Sequence, residues 1–187
     1  MDQRAPLGSG RGGGGPLLSA ASGIGESVIR VLGELGVPYE TIECDPDYAD
    51  TAAFCARYGY SPDECGNTII VASKKQPRQH SACVVKGSTR LDVNRTVRML
   101  MGVSRLSFAS SDETTAVTGM LIGGVTVFAL PEGLPIYVDS KVMDLDTVIL
   151  GSGSRSSKIR VSPAIFSRIA NTEIVDGLSL EPSPQVR

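Results

Sequence analysis

Tryptophan is missing from the 187 residues, aromatic side chains make up only 5% of them, and histidine occurs once. The core must therefore be aliphatic. The lone His80 lies between polar residues in a segment that reads as a loop, so no Ser/His/Asp arrangement can be assembled around it. Cysteine is sparse as well. Cys44, Cys55, Cys65 and Cys83 show no C-x-x-C spacing and have no second histidine to join them, so they read as buried free thiols with no metal. No apolar run approaches the ~20 residues that span a bilayer. No secretory-type apolar stretch follows Asp2, Arg4 and Arg11 either. The expected location is the cytoplasm, without a membrane partner. A net charge of −2 lacks the basic excess of a protein that coats nucleic acid, which removes DNA as an expected partner. A local basic patch that meets one folded RNA remains compatible with it.

What is present describes an ordinary globular chain, 41% hydrophobic and 20% charged, of single-domain length. Residues 1–22 include four consecutive glycines, Gly12 to Gly15, and read as a tail that cannot offset its ordering entropy. Residues 179–187, with Pro182 and Pro184, read as a second tail, which leaves a domain over 23–178. Within it Ile24, Val28, Leu32 and Leu35 recur at helical spacing, and Gly36 with Pro38 stops that helix. Strands are expected at Tyr39–Cys44, Thr68–Ala72, Ser81–Lys86, Arg105–Ala109, Val125–Leu130, Ile136–Val138, Thr147–Leu150 and Lys158–Val161. Helices are expected over Thr51–Tyr58 and Val93–Met101, after the S-x-x-E capping box at Ser110 and Glu113, and after Ser162-Pro163. Short strands and helices without a regular βαβ rhythm predict an α+β fold, a compact single domain with a mixed, curved β-sheet flanked by helices.

Three segments carry chemistry. Gly119 to Val125 holds Gly123-Gly124, which lets a backbone approach a ligand and offer its N–H groups to a carbonyl or phosphate; from spacing alone the same pattern is a tight turn. Gly151 to Lys158, rich in serine with Arg155 and Lys158, follows an apolar strand and reads equally as an anion or RNA-terminus clamp and as a solvated turn. Lys86 and Arg90 flank a turn where either cation can meet phosphate, although both suit a plain surface role.

In their order, Asn67 to Ala72, Arg90-Leu91-Asp92, Thr118-Gly119 with Gly123-Gly124, Leu134-Pro135 with Asp139, and Gly151-Ser152-Gly153 resemble the YbaK-type aminoacyl-tRNA deacylases. They also resemble the related editing insertion of bacterial prolyl-tRNA synthetases. The resemblance covers about residues 24–175. It implies hydrolysis of the ester of a mischarged tRNA, with Cys- or Ala-charged tRNA(Pro) among the substrates, prolyl-tRNA synthetase as a partner, and no cofactor. It also implies Thr68, Thr118, Gly119, Gly123, Gly124, Asp139, Ser152, Gly153 and Lys158 as substrate-binding residues. Many members carry a lysine at the position of Asn67, a proline near Val127, and some an aspartate at Lys158. Asn67 keeps a hydrogen-bond donor but no charge. Pairing of Ser73 near Ser81 would bring Lys86 beside Asn67 and Thr68, which makes Asn67 and Lys86 the expected catalytic pair. Two other readings stand beside the deacylase: a module that binds aminoacyl-tRNA or a synthetase without cutting, and a small-molecule binding domain.

Overall fold

The computed structural model describes residues 16–182, with side chains from residue 23 onward. Helix α1 (Pro16–Leu35) buries Val28 and Leu32 completely, as the spacing predicts. It starts at Pro16, inside the segment expected as a tail. Proline suits a first helical turn, and Leu17, Leu18, Ala20 and Ala21 are strong helix formers, so local propensity overrides the glycine-rich composition just before it. The tail readings for residues 1–15 and 183–187 lie outside the described residues.

After α1 come β1 (Tyr39–Glu43) and α2 (Thr51–Tyr58), which Gly59 closes with a left-handed φ of 76°. Next is the hairpin of β2 (Gly66–Ser73) and β3 (His80–Lys86), followed by β4 (Arg90–Leu91). Asp92 then caps a π-helical turn, Val93–Val97, by accepting from the N–H groups of Arg95 and Thr96, and the chain continues into α3 (Arg98–Leu100). β5 (Leu106–Phe108) and α4 (Ser111–Thr118) follow. Ser110 caps α4 by accepting from Glu113 N–H, but the return half of the expected capping box does not form. Glu113 turns instead to Arg78 Nε and His80 Nε2, each 2.9 Å from Oε1, since charge-assisted partners outweigh one backbone N–H.

The remaining elements are β6 (Ile136–Asp139), α5 (Ser140–Met143), β7 (Val148–Gly151), β8 (Ser157–Val161), β9 (Thr172–Val175) and β10 (Ser179–Leu180). The last strand pairs with β4, and Leu178 before it is fully buried, so order extends past the boundary expected at residue 178. No strand forms over Val125–Leu130. That stretch crosses the core as irregular chain, burying Val125, Val127 and Phe128. The backbone of Gly151 crosses it so closely that a Cβ there would collide with the carbonyl oxygens of Gly124 and Val125. A crossing of two backbones leaves no room for a ladder. Ser162 opens a 3-10 turn, Pro163–Arg168, in place of the expected α-helix.

The fold is α+β. Its main sheet is mixed, in the order β5-β2-β3-β6-β9, with antiparallel pairs around β2 and parallel pairs around β6. Ile70, Ala82 and Val84 face α1 and the main core, while Val71, Cys83 and Val85 face a second cluster with Val97, Leu106 and Leu178. Both faces of β2 and β3 are thus covered, which explains their nearly continuous apolar runs. A smaller antiparallel sheet, β1-β8-β7, meets the main one where Cys65, just before β2, bridges Ile149.

Candidate functional site

A cavity of about 460 Å³ opens where the two sheets meet. Its walls come from the start of α2 (Thr51, Phe54), the start of β2 (Gly66 to Ile70), the loop of Ile122, Gly123 and Val125, and Leu150, Gly151 and Lys158 of the smaller sheet. Phe108 of β5 belongs to the lining and is 57% exposed. Gly66 admits Leu150 to this corner, since a Cβ on it would lie 2.6 Å from Leu150 Cδ2.

Asn67 lies on the β2 wall. Its carbonyl oxygen accepts from Thr51 Oγ1, and its amide donors have no partner among the described residues. Beside it the Thr68 hydroxyl is buried and likewise unpartnered. Lys158 reaches the cavity from β8, on the smaller sheet. It is only 6% exposed, and its ammonium donates to Ala49 O and, at 2.7 Å, to Gly123 O. Burial holds its pKa below the ordinary lysine value, with the Arg155 charge adding to the effect and Cys44, Cys65 and Asp50 opposing it.

Gly123 takes a φ of +88°, and a Cβ there would stand 2.5 Å from Arg155 Nη1, so the position requires glycine. Arg155 straps this loop to the rest of the site by donating to Ile122 O and, at 2.6 Å, to Pro46 O. The N–H groups of Gly123 and Val125 bond to nothing among the described residues, whereas that of Gly124 is spent on Leu121 O at 2.9 Å.

Of the residues expected at the site, Asn67, Thr68, Gly123 and Lys158 meet at this cavity. The others do not line it. Thr118 Oγ1 donates to Thr114 O and accepts from Met120 N–H, and Gly119 ends α4 with a φ of 72°. Asp139 is fully buried and caps α5 through Lys141 N–H. Ser152 Oγ donates to Ser157 O at 2.9 Å and so closes the β7–β8 turn, while Gly153 packs on Ile24 and Val28. Lys86 stands opposite Gly66, one side-chain repeat from the Thr68 pairing expected of it, and does not line the cavity.

Two cations, Lys158 and Arg155, stand at this cleft, and others lie away from it. Arg78 pairs with Glu113, and Arg98 lines a separate depression with Lys74 and Arg105. Thr51, Phe54, Phe108 and Leu150 were missed by sequence reasoning. Each reads locally as a helix or strand residue, and only the meeting of two sheets gives it a shared surface.

Residues 45–169, more than half of the chain, match the family of aminoacyl-tRNA editing domains. The chain belongs to that family, which bears out the resemblance read from its motifs. Among solved structures, hypothetical protein APE2540 superposes with a TM-score of 0.73 at 23% identity, over 82% of this chain and 99% of that one. A proposed trans-editing enzyme for prolyl-tRNA synthetase superposes with a TM-score of 0.68 at 20% identity, over 90% and 99%. At such identities the likeness is one of fold. No helix among the described residues is long and apolar enough to cross a membrane.

Proposed function

We propose that this protein is a cytoplasmic trans-editing deacylase that hydrolyses the ester joining a wrongly attached amino acid to the 3′ adenosine of a tRNA. The observation that carries the reading is the cavity itself. It is large enough for an aminoacyl group, and the residues that line it include unpartnered donors: Thr68 Oγ1 on the side of β2 that carries Ile70, Asn67 Nδ2 on the strand's other side, and the Gly123 and Val125 N–H groups on the loop. Water adds to the ester carbonyl carbon, the bond from that carbon to the ribose oxygen breaks, and the water proton ends on the ribose. The products are a free amino acid and a tRNA with its terminal hydroxyl restored. Positioning and stabilisation of the developing oxyanion supply the rate, and neither an acid/base pair nor a cofactor is called upon. Cys- and Ala-charged tRNA(Pro) are the proposed substrates, and prolyl-tRNA synthetase the proposed partner.

One observation favours a second reading, a module that binds aminoacyl-tRNA without cutting it. Asn67 brings no charge and already holds Thr51, so the β2 wall contributes no cation. Single-turnover assays on Cys-, Ala- and Pro-charged tRNA(Pro) separate the two. Deacylation of one mischarged species well above the buffer rate is expected. A buffer-level rate for all three, together with tight binding, would transfer the assignment to the binding module.

A further inference from the structure

Lys158 is buried without a counter-ion. A buried ammonium usually lies against a carboxylate, because desolvating it alone costs several kcal/mol. Among the described residues no carboxylate stands within ion-pair distance of Lys158. The carboxylate that acts on it through space, Asp50, is 3.8 Å from the Arg155 guanidinium. Its direct partners are two neutral carbonyls, Ala49 O and Gly123 O, and the face of Phe54 at 5.6 Å. An ammonium carries three N–H donors, and two are accounted for. The third belongs to a side chain that lines the cavity, which the unpartnered Thr68 hydroxyl also lines.

We propose that Lys158 is the cation of this site, placed on the wall opposite the uncharged Asn67, and that its third N–H binds an anionic oxygen of the bound aminoacyl nucleotide. The assignment rests on the deacylase reading for its ligand. The oxygen comes either from the phosphate of the terminal nucleotide or from the oxyanion that forms when water adds to the ester. Lys158 makes the same charge-assisted hydrogen bond to both.

The test uses Lys158→Met, which keeps the length and removes the charge, and the double variant Asn67→Lys/Lys158→Met. Two non-hydrolysable probes are titrated by calorimetry, 3′-alanylamino-3′-deoxyadenosine with and without a 5′-phosphate. Single-turnover deacylation is measured alongside. If the phosphate is the ligand, Lys158→Met weakens the phosphorylated probe about tenfold and leaves the other unchanged. If the oxyanion is the ligand, both probes bind as before and the single-turnover rate falls about 100-fold. In either case Asn67→Lys restores much of the loss, which a purely structural lysine would not allow. A folded Lys158→Met with probe affinities and rate within about twofold of the native protein overturns the proposal. Should that variant not fold, 15N-lysine spectra of the native protein decide. The Lys158 Nζ signal is expected to shift on adding the phosphorylated probe if the phosphate is the ligand, and on adding a phosphonate mimic of the tetrahedral adduct if the oxyanion is. A signal unmoved by both overturns the assignment. A native protein that cuts no tRNA, yet loses the phosphorylated probe in Lys158→Met, removes the deacylase reading and keeps Lys158. Equal hydrolysis and equal probe affinities in both proteins do the reverse.

Discussion

Cys83 lies on β3 with no exposed surface, and burial pushes its thiol up to about 12. Burial also raises Cys65 to about 12, helped by the neighbouring Cys55 Sγ at 3.6 Å, and raises Cys44. In the unfolded chain these thiols ionise near 9, so between about pH 9 and 12 the unfolded state holds fewer protons than the folded one, and stability falls as pH rises. Lys158 acts in the other sense. Its folded pKa lies below 10.5, so the unfolded chain holds the extra proton in that window and stability gains as pH climbs to about 10.5. Three thiols oppose one lysine, and the raised Tyr137 and Lys141 act in the sense of the thiols, so the net slope above pH 9 is negative. Each thiol contributes at most about 1.4 kcal/mol per pH unit. Urea denaturation from pH 8.5 to 10.5 should show this decline, and Cys83→Ala should flatten it by up to about 1.4 kcal/mol per unit, whatever it costs at neutral pH. A variant with an unaltered slope would show that Cys83 ionises equally in both states.

The element most exposed to a small change is the crossing of β7 under the Gly124–Val125 backbone. A methyl group on Gly151 meets the carbonyl oxygens of Gly124 and Val125. These are backbone atoms, which cannot swing aside as a side-chain tip can. Gly151→Ala should therefore cost about 1–3 kcal/mol, read as a lowered urea midpoint. It should also loosen the loop that presents Gly123 and receives Lys158. Gly133→Ala makes the useful comparison, because a Cβ there meets nothing within 4 Å and only its φ of 80° is strained. Gly151 has no such φ, so a Gly151→Ala midpoint equal to that of the native protein would mean that the crossing yields to a methyl group and that collision does not set a cost. The same crossing marks the limit of what was legible. α2 and the β2–β3 hairpin follow directly from local periodicity and stop signals, and the structure has them near the expected bounds. Val125 to Leu130 carries a strand-like run, but nothing local announces that another backbone will pass at van der Waals distance. The hairpin register shows a similar limit. Its long charged loop permits more than one pairing, and the one adopted sets Lys86 against Gly66.

At the scale of the whole molecule, a net charge of −2 hides how the cations are arranged. Lys74, Arg98 and Arg105 surround one depression with Asn94, and no carboxylate belongs to its lining. A second depression, with Arg90, shares Asn94 with the first and shares Ile69 and Phe108 with the cavity. The three thus adjoin one another through shared residues, and the middle one carries the Asp92 carboxylate as well as Arg90. None of this was legible in composition, since segments far apart in sequence supply the cations; of the candidate site itself, the motifs marked Asn67, Thr68, Gly123 and Lys158 but not the sheet junction that unites them. If the proposed function holds, the depression of Lys74, Arg98 and Arg105 is the expected contact for phosphates of the tRNA acceptor end. Charge reversal, Arg98→Glu with Arg105→Glu, should lower tRNA affinity about tenfold at low salt. It should also flatten the plot of log K against log salt by about 0.7–0.9 for each phosphate that is no longer neutralised. Hydrolysis of a minimal aminoacyl-adenosine should be unchanged, because neither arginine lines the cavity. A variant that keeps the native salt slope would move the RNA to the face that carries Arg155, and a variant that also fails to cut the minimal substrate would show that the two regions are mechanically coupled.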